Sequence, residues 1–157
     1  MAAGNPHIEP PERVLIITRI FDAPRELVFK AWTDPRHLVH WMGPRGFKST
    51  VLRSELRVGG AYRFHMLGPA GDDHWTQGLF REIVEPERLV MAGSWADADG
   101  NPTTPETLLT ITFDEYEGNK TRLTLRQAIF ESMTARNEHQ GGWNSSLDRL
   151  GEYLETV

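Results

Sequence analysis

From Arg13 to Phe21 the chain is a short run rich in β-branched residues, Arg-Val-Leu-Ile-Ile-Thr-Arg-Ile-Phe, which predicts a first strand. Leu27, Val28, Ala31 and Trp32 then recur at helical spacing behind Asp22-Ala23-Pro24, where a carboxylate is placed to cap and a proline to open a helix. Asp34-Pro35 ends that helix and starts a second, shorter one with Leu38, Trp41 and Met42 on its buried side, broken by Gly43-Pro44-Arg45-Gly46. After Phe47 the pattern changes to alternation, with strands expected near 47–54, 60–67, 74–84, 88–96, 106–114 and 120–129. The last is the clearest: Thr121, Leu123, Leu125, Gln127 and Ile129 share one face, Arg122, Thr124, Arg126 and Ala128 the other. Gly59-Gly60 and Gly118-Asn119 stand where tight hairpin turns need positive φ.

The chain closes on a long helix, from about Ser132 to Val157. Trp143, Leu147, Leu150 and Leu154 fall on one side of it, while Asn144, Asp148, Arg149, Glu152 and Glu155 take the other. Gly141-Gly142 interrupts this pattern, and each glycine inside a helix costs about 1 kcal/mol relative to alanine. The pair therefore predicts a kink, a close backbone approach, or room left beside the helix.

Strand, two short helices, six strands and a long helix make an α+β domain. Its sheet of about seven antiparallel strands has one element long and amphipathic enough to cover its inner face, the terminal helix. A bent sheet cannot follow a straight helix along its whole length, so a cavity between the two is expected. Residues 1–12, with Gly4, Pro6, Pro10 and Pro11 and little to bury, are expected to form a mobile tail ahead of a single domain over 13–157.

Composition narrows the chemistry. The 157 residues contain no cysteine, which excludes disulfides, thiolate nucleophiles and cysteine-bound metal centres. A net charge of -5 and the lack of a long basic run argue against nucleic-acid partners. Neither a membrane-length apolar run nor a signal-peptide layout occurs, so membrane insertion is not expected and the cytoplasm is the default location.

Five tryptophans stand out. Trp41, Trp75, Trp95 and Trp143 are the first candidates for lining the cavity, whose indole N–H groups would orient a polar ligand group, whereas Trp32 reads as core beside Leu27, Val28 and Ala31. Phe47, Phe64, Met66 and Gln77 are further candidates. Trp75 and Gln77 depend on whether Gly78 marks a bulge that flips the strand's faces. His139, one turn before Trp143, is placed to meet a ligand carboxylate or to act as a general base, and in an enzyme either it or a buried carboxylate would move the proton. His37 and His40 share a helix face but have no third ligand at a diagnostic offset, so neither a metal nor any cofactor is expected. Glu82, Glu106, Glu131 and Glu138 are not brought together by any pattern, and nucleophile-elbow and phosphate-loop motifs are absent.

Several segments together resemble the START-like (SRPBCC) superfamily, and more narrowly the branch named after the heat-shock protein 90 ATPase activator homologues. They are Phe21-Asp22-Ala23-Pro24, Val28-Phe29-Lys30-Ala31-Trp32-Thr33-Asp34-Pro35, Trp41-Met42-Gly43-Pro44, Val58-Gly59-Gly60-Ala61-Tyr62-Arg63-Phe64, Gly78 with Glu82-Ile83, Pro86-Glu87-Arg88-Leu89-Val90, and Gly142-Trp143 with Leu147, Leu150 and Leu154. The resemblance implies a helix-grip fold with an internal hydrophobic cavity. Relatives in the wider superfamily bind lipids, hormones or polyketides, or act as cyclases. The chain has the length of one such domain, without the additional amino-terminal domain of the eukaryotic activator, which weighs against a chaperone partner. The first expectation is binding of a small hydrophobic molecule. The alternatives are a cyclase or dehydratase using the same cavity, and an interaction module contacting a chaperone or a second copy of the chain.

Overall fold

A computed structural model describes residues 10–157. A single 3-10 turn, Pro11–Arg13, leads into β1 (Leu15–Phe21), followed by α1 (Arg25–Thr33), α2 (Pro35–Leu38), β2 (Lys48–Ser54), β3 (Ala61–Leu67), β4 (Asp73–Val84), β5 (Arg88–Ala96), β6 (Thr107–Tyr116), β7 (Lys120–Ala128) and α3 (Met133–Leu154). The expected tail falls mostly on residues 1–9, outside the described residues. No helix among the described residues is long and apolar enough to cross a membrane.

The seven strands form one antiparallel sheet in the order β1-β7-β6-β5-β4-β3-β2. Every connection from β2 to β7 joins neighbours, so none needs a crossover, although that from Asp97 to Glu106 is a longer loop; at the β6–β7 hairpin Glu117 and Gly118 both take positive φ, 44° and 83°. The one long excursion follows β1, where α1 and α2 carry the chain across to the far edge. Register dictates the inner face: Leu15 pairs with Gln127, Ile17 with Leu125 and Phe21 with Thr121, so the buried residues of β1 and β7 lie side by side. On that face Leu147, Leu150 and Leu154 of α3 are buried, and Phe29 of α1 meets Phe113 of β6 edge-on at 5.3 Å.

Local chemistry explains most boundaries. Asp34 caps α2 by accepting from the Arg36 amide at 2.9 Å, and the Ser132 hydroxyl caps α3 by accepting from the Ala135 amide at 3.0 Å. Asp22 does not cap α1: Pro24 occupies that position and α1 has no side-chain cap, leaving Asp22 two residues too early to reach the first amides. The alternation groups Ile129 with the inner face of β7, yet it is 41% exposed, because the strand stops at Ala128 and Phe130 turns inward in its place. α3 runs unbroken through Gly141-Gly142. A Cβ added at Gly141 would meet nothing within 4 Å, and one at Gly142 would touch only Pro44 Cγ at 3.7 Å. Of the three reasons anticipated for the pair, only room beside the helix fits, and it fits Gly142, since Gly141 is exposed on the outside.

Candidate functional site

That room is part of a cavity of about 410 Å³ between the inner face of the sheet and the N-terminal half of α3. Tyr62, Phe64 and Met66 of β3 and Met91, Gly93 and Trp95 of β5 line the sheet side. Ala135, Glu138, His139, Gly142 and Trp143 form the helix side, while Trp32, Met42, Pro44 and Phe47 close a third wall. Aromatic rings and thioethers dominate, which gives a surface that is apolar and, through methionine, adaptable.

Six of the nine residues expected to line a cavity do so: Phe47, Phe64, Met66, Trp95, His139 and Trp143. Trp75 and Gln77 do not. β3 pairs with β4 in unbroken register, Tyr62 with Gly78, Phe64 with Thr76 and Met66 with His74, so Thr76 and His74 face inward and their neighbours outward. The register shift lies further along, between Phe80 and Glu82. Outside, Trp75 packs on His65 with ring centroids 5.0 Å apart, and Gln77 accepts from Arg63 and donates to the Gly100 carbonyl at 2.7 Å. Trp41 is also elsewhere: it is fully buried behind α1, its Nε1 donating to the Ala31 carbonyl at 2.9 Å. Trp32, expected in the core, is there and also lines the cavity where Trp41 was expected to. It is packed edge-on against Trp41 at 4.8 Å and stacked on Trp143 at 5.6 Å, so it serves both core and cavity wall, and its buried Nε1 has no hydrogen-bond partner.

Two tryptophans brace the sheet to the helix across this space. Trp143 Nε1 donates to Gln127 Oε1 at 2.8 Å, and Gln127 Nε2 donates onward to Thr107 Oγ1 at 2.9 Å. Trp95 Nε1 donates to His139 Nε2 at 3.1 Å. His139 Nδ1 lies 2.9 Å from the Ala135 carbonyl, which only accepts, so the ring proton sits on Nδ1 and the Nε2 lone pair is taken by Trp95. His139 thus acts as a fixed acceptor. The Tyr62 hydroxyl stays protonated well past the usual tyrosine range, because burial and then the Glu106 charge disfavour the phenolate.

Arginines fasten the helix outside the cavity. Arg149 donates to the carbonyls of Gly43 at 2.8 Å, Pro44 at 3.2 Å and His40 at 3.3 Å, which fixes the loop that carries Met42, Pro44 and Phe47. Its own pKa is lowered chiefly by burial. Arg19 reaches Asp148 at 2.8 Å, and Arg45 reaches Glu152 at 2.7 Å. His37 and His40 serve Tyr153, the first by a 2.5 Å hydrogen bond and the second by stacking at 5.1 Å. No group of three or more potential metal ligands occurs among the described residues. Glu82 and Glu106 pair with Arg88 and Arg81, and Glu131 and Glu138 stand exposed at the cavity rim.

A curved antiparallel sheet closed on one long helix, with an apolar space between, defines a helix-grip domain of the START-like class. Within it, the chain belongs to the family described as Activator of Hsp90 ATPase homolog 1-like protein, whose model matches residues 22–155. A crystal structure of a Chromobacterium violaceum protein is similar at 32% identity, with a TM-score of 0.79 over 91% of this chain and 97% of that one. A solution structure from Arthrobacter aurescens is similar at 28% identity, with a TM-score of 0.83 over 93% of this chain and 88% of that one. A Mycobacterium smegmatis protein is similar at 26% identity, with a TM-score of 0.79 over 94% and 91%. The curated proteins contain no match to the chain.

Proposed function

We propose that the protein binds a small hydrophobic molecule in the cavity between its sheet and α3. The observation that carries this reading is the void itself. A pocket of about 410 Å³, open at its rim, lies among Phe47, Phe64, Met66, Trp95 and Trp143. That volume falls in the range of small-molecule sites, and the few polar groups among apolar walls are the usual means of orienting a ligand. The engagement of both His139 nitrogens favours binding over a proton-transfer role for that residue.

Native mass spectrometry of freshly purified protein, followed by denaturing extraction, is the first test. A small molecule that leaves with the fold is the expected result. Titration with 2-ethylnaphthalene, read by tryptophan fluorescence, is the second. Saturable binding is expected, weakened about tenfold or more by Trp143→Ala, which removes a wall of the site. A clean mass together with no saturable binding would reject the proposal.

A further inference from the structure

Four positions lie in register across the middle of the sheet, Tyr62 on β3, Gly78 on β4, Gly93 on β5 and Thr107 on β6. The two glycines leave a trough on the inner face, and the Tyr62 side chain lies across it. A Cβ built at Gly93 would fall 2.1 Å from the Tyr62 hydroxyl oxygen, and one at Gly78 would fall 2.7 Å from it. Any side chain at either position would push that oxygen away. The hydroxyl is therefore delivered to the cavity floor by the glycine pair, in a residue only 7% exposed.

No hydrogen bond to a described residue holds it there; only burial and the Glu106 charge act on its ionisation. The hydroxyl opens on the cavity rather than being sealed in the core, so its partner is a molecule inside the cavity, a water or an acceptor atom of a ligand. Because the phenol stays protonated, its O–H is a donor. The neighbouring tryptophan donors are already used, Trp95 on His139 and Trp143 on Gln127, and Gln127 uses its amide on Thr107. Of the aromatic donors two are left over, Trp32 Nε1, which is buried in the wall, and the Tyr62 hydroxyl, which the glycine trough presents on the floor.

The charges around the cavity narrow the ligand further. Neither lysine nor arginine lines it, and the only fixed charges there are Glu131 and Glu138 at the rim. The rim histidine, His74, is already held by Asp72. An anionic ligand would enter past two carboxylates and meet no cation inside, and a buried unpaired charge is strongly disfavoured. A neutral oxygen suffers neither penalty.

From this geometry we infer that the cavity selects an uncharged ligand carrying an oxygen acceptor, such as a ketone, ester or ether, and that the Tyr62 hydroxyl orients it. The inference rests on the binding reading above, and three naphthalenes of nearly one size separate the two: 2-ethylnaphthalene lacks the acceptor, 2-acetylnaphthalene carries it, and 2-naphthoate is its anionic counterpart. Titrations of the wild type and Tyr62→Phe by tryptophan fluorescence provide the measurement. The phenylalanine keeps the ring and breaks no internal hydrogen bond, and its affinity for 2-ethylnaphthalene reports whether the fold and cavity survive. We expect the variant to bind 2-acetylnaphthalene about fivefold more weakly than the wild type, as for loss of one hydrogen bond. Binding of 2-ethylnaphthalene is expected to stay within about twofold, and 2-naphthoate to bind the wild type at least about tenfold more weakly than the ketone. If Tyr62→Phe shifts ketone and hydrocarbon alike, or shifts neither, the tyrosine has no orienting role. Naphthoate binding as tight as the ketone overturns the selection for neutral ligands. Failure of all three to bind the wild type removes the binding reading and this inference with it.

Discussion

Gly142→Leu separates the needs of the fold from those of the cavity. At this position an added Cβ makes one ordinary contact, 3.7 Å from Pro44, and helical side chains lean toward the N-terminus, which here means over the cavity toward Glu138 and His139. Replacing glycine by leucine in a helix interior gains about 0.8–1 kcal/mol of propensity. A leucine side chain fully taken from water gains about 1.5–3 kcal/mol, and about half of that is reasonable for a cavity open at its rim. The sum is about 2 kcal/mol, which for a domain of this size raises Tm by about 4–8 °C. The same side chain occupies the space a ligand needs, so affinity for 2-ethylnaphthalene should fall about tenfold or more. Gly141→Ala is the control: its Cβ meets nothing within 4 Å, so it should gain up to about 1 kcal/mol and leave binding unchanged. Thermal denaturation by circular dichroism and fluorescence titration read the two effects. A lower Tm for Gly142→Leu, or undiminished binding, would refute the assignment of Gly142 to the cavity wall.

Other residues yield separate expectations. Arg149→Met removes the donor to the carbonyls of His40, Gly43 and Pro44 and should cost about 2–3 kcal/mol in urea denaturation; a loss under about 0.5 kcal/mol would mean water replaces it freely. Asp34→Ala should cost about 1 kcal/mol as a lost helix cap. The Asp34 carboxyl is held at about 2 rather than 3.8, first by the Arg36 side chain and then by the Arg36 amide. A carboxyl whose folded pKa is depressed stabilises the fold above its unfolded pKa and loses that contribution as the pH falls through its folded one. The gap between wild type and Asp34→Ala should therefore close from about pH 4 down to about pH 2, and a gap that persists at pH 2 contradicts the role. A double-mutant cycle of Trp95→Phe with His139→Ala should give a coupling energy of about 1 kcal/mol, whereas strict additivity would show that the two rings do not brace sheet to helix.

The fold was readable because its strands alternate and its closing helix carries one apolar stripe, and those two periods leave little choice of architecture. The cavity residues divide along a physical line. Phe64, Met66, His139 and Trp143 lie within elements whose inward face the local pattern already marks. Trp75 and Gln77 required knowledge of what lies across the strand: Gly78 was the visible irregularity, but the register shift sits past Phe80, leaving the parity of 73–79 unchanged. Trp41 lies wholly in the core, while Trp32, also core, reaches the cavity wall, for a similar reason. Both fit the buried stripe of a helix, and which one meets the cavity is set by how α2 and the loop after it fold back. The Trp95 to His139 bond spans 44 residues, and the signal for Tyr62 is three residues on three strands, so pairing had to come first.

The attachment of α3 is uneven along its length. Its C-terminal half is packed through Leu147, Leu150 and Leu154, while much of the half nearer Ser132 spans the cavity and is tied to the sheet chiefly by Trp95, Trp143 and the Arg136 bond to the Val14 carbonyl. Opening the first turns exposes little core, so their amides should exchange with solvent at a far lower free energy than those near Leu150. The first turns should therefore open without unfolding the C-terminal half, which belongs to the folding unit. If the cavity binds a ligand as proposed, loosening of the first turns would widen its rim, and changes to the tryptophan braces would alter the rate of admission without a matching change in global stability.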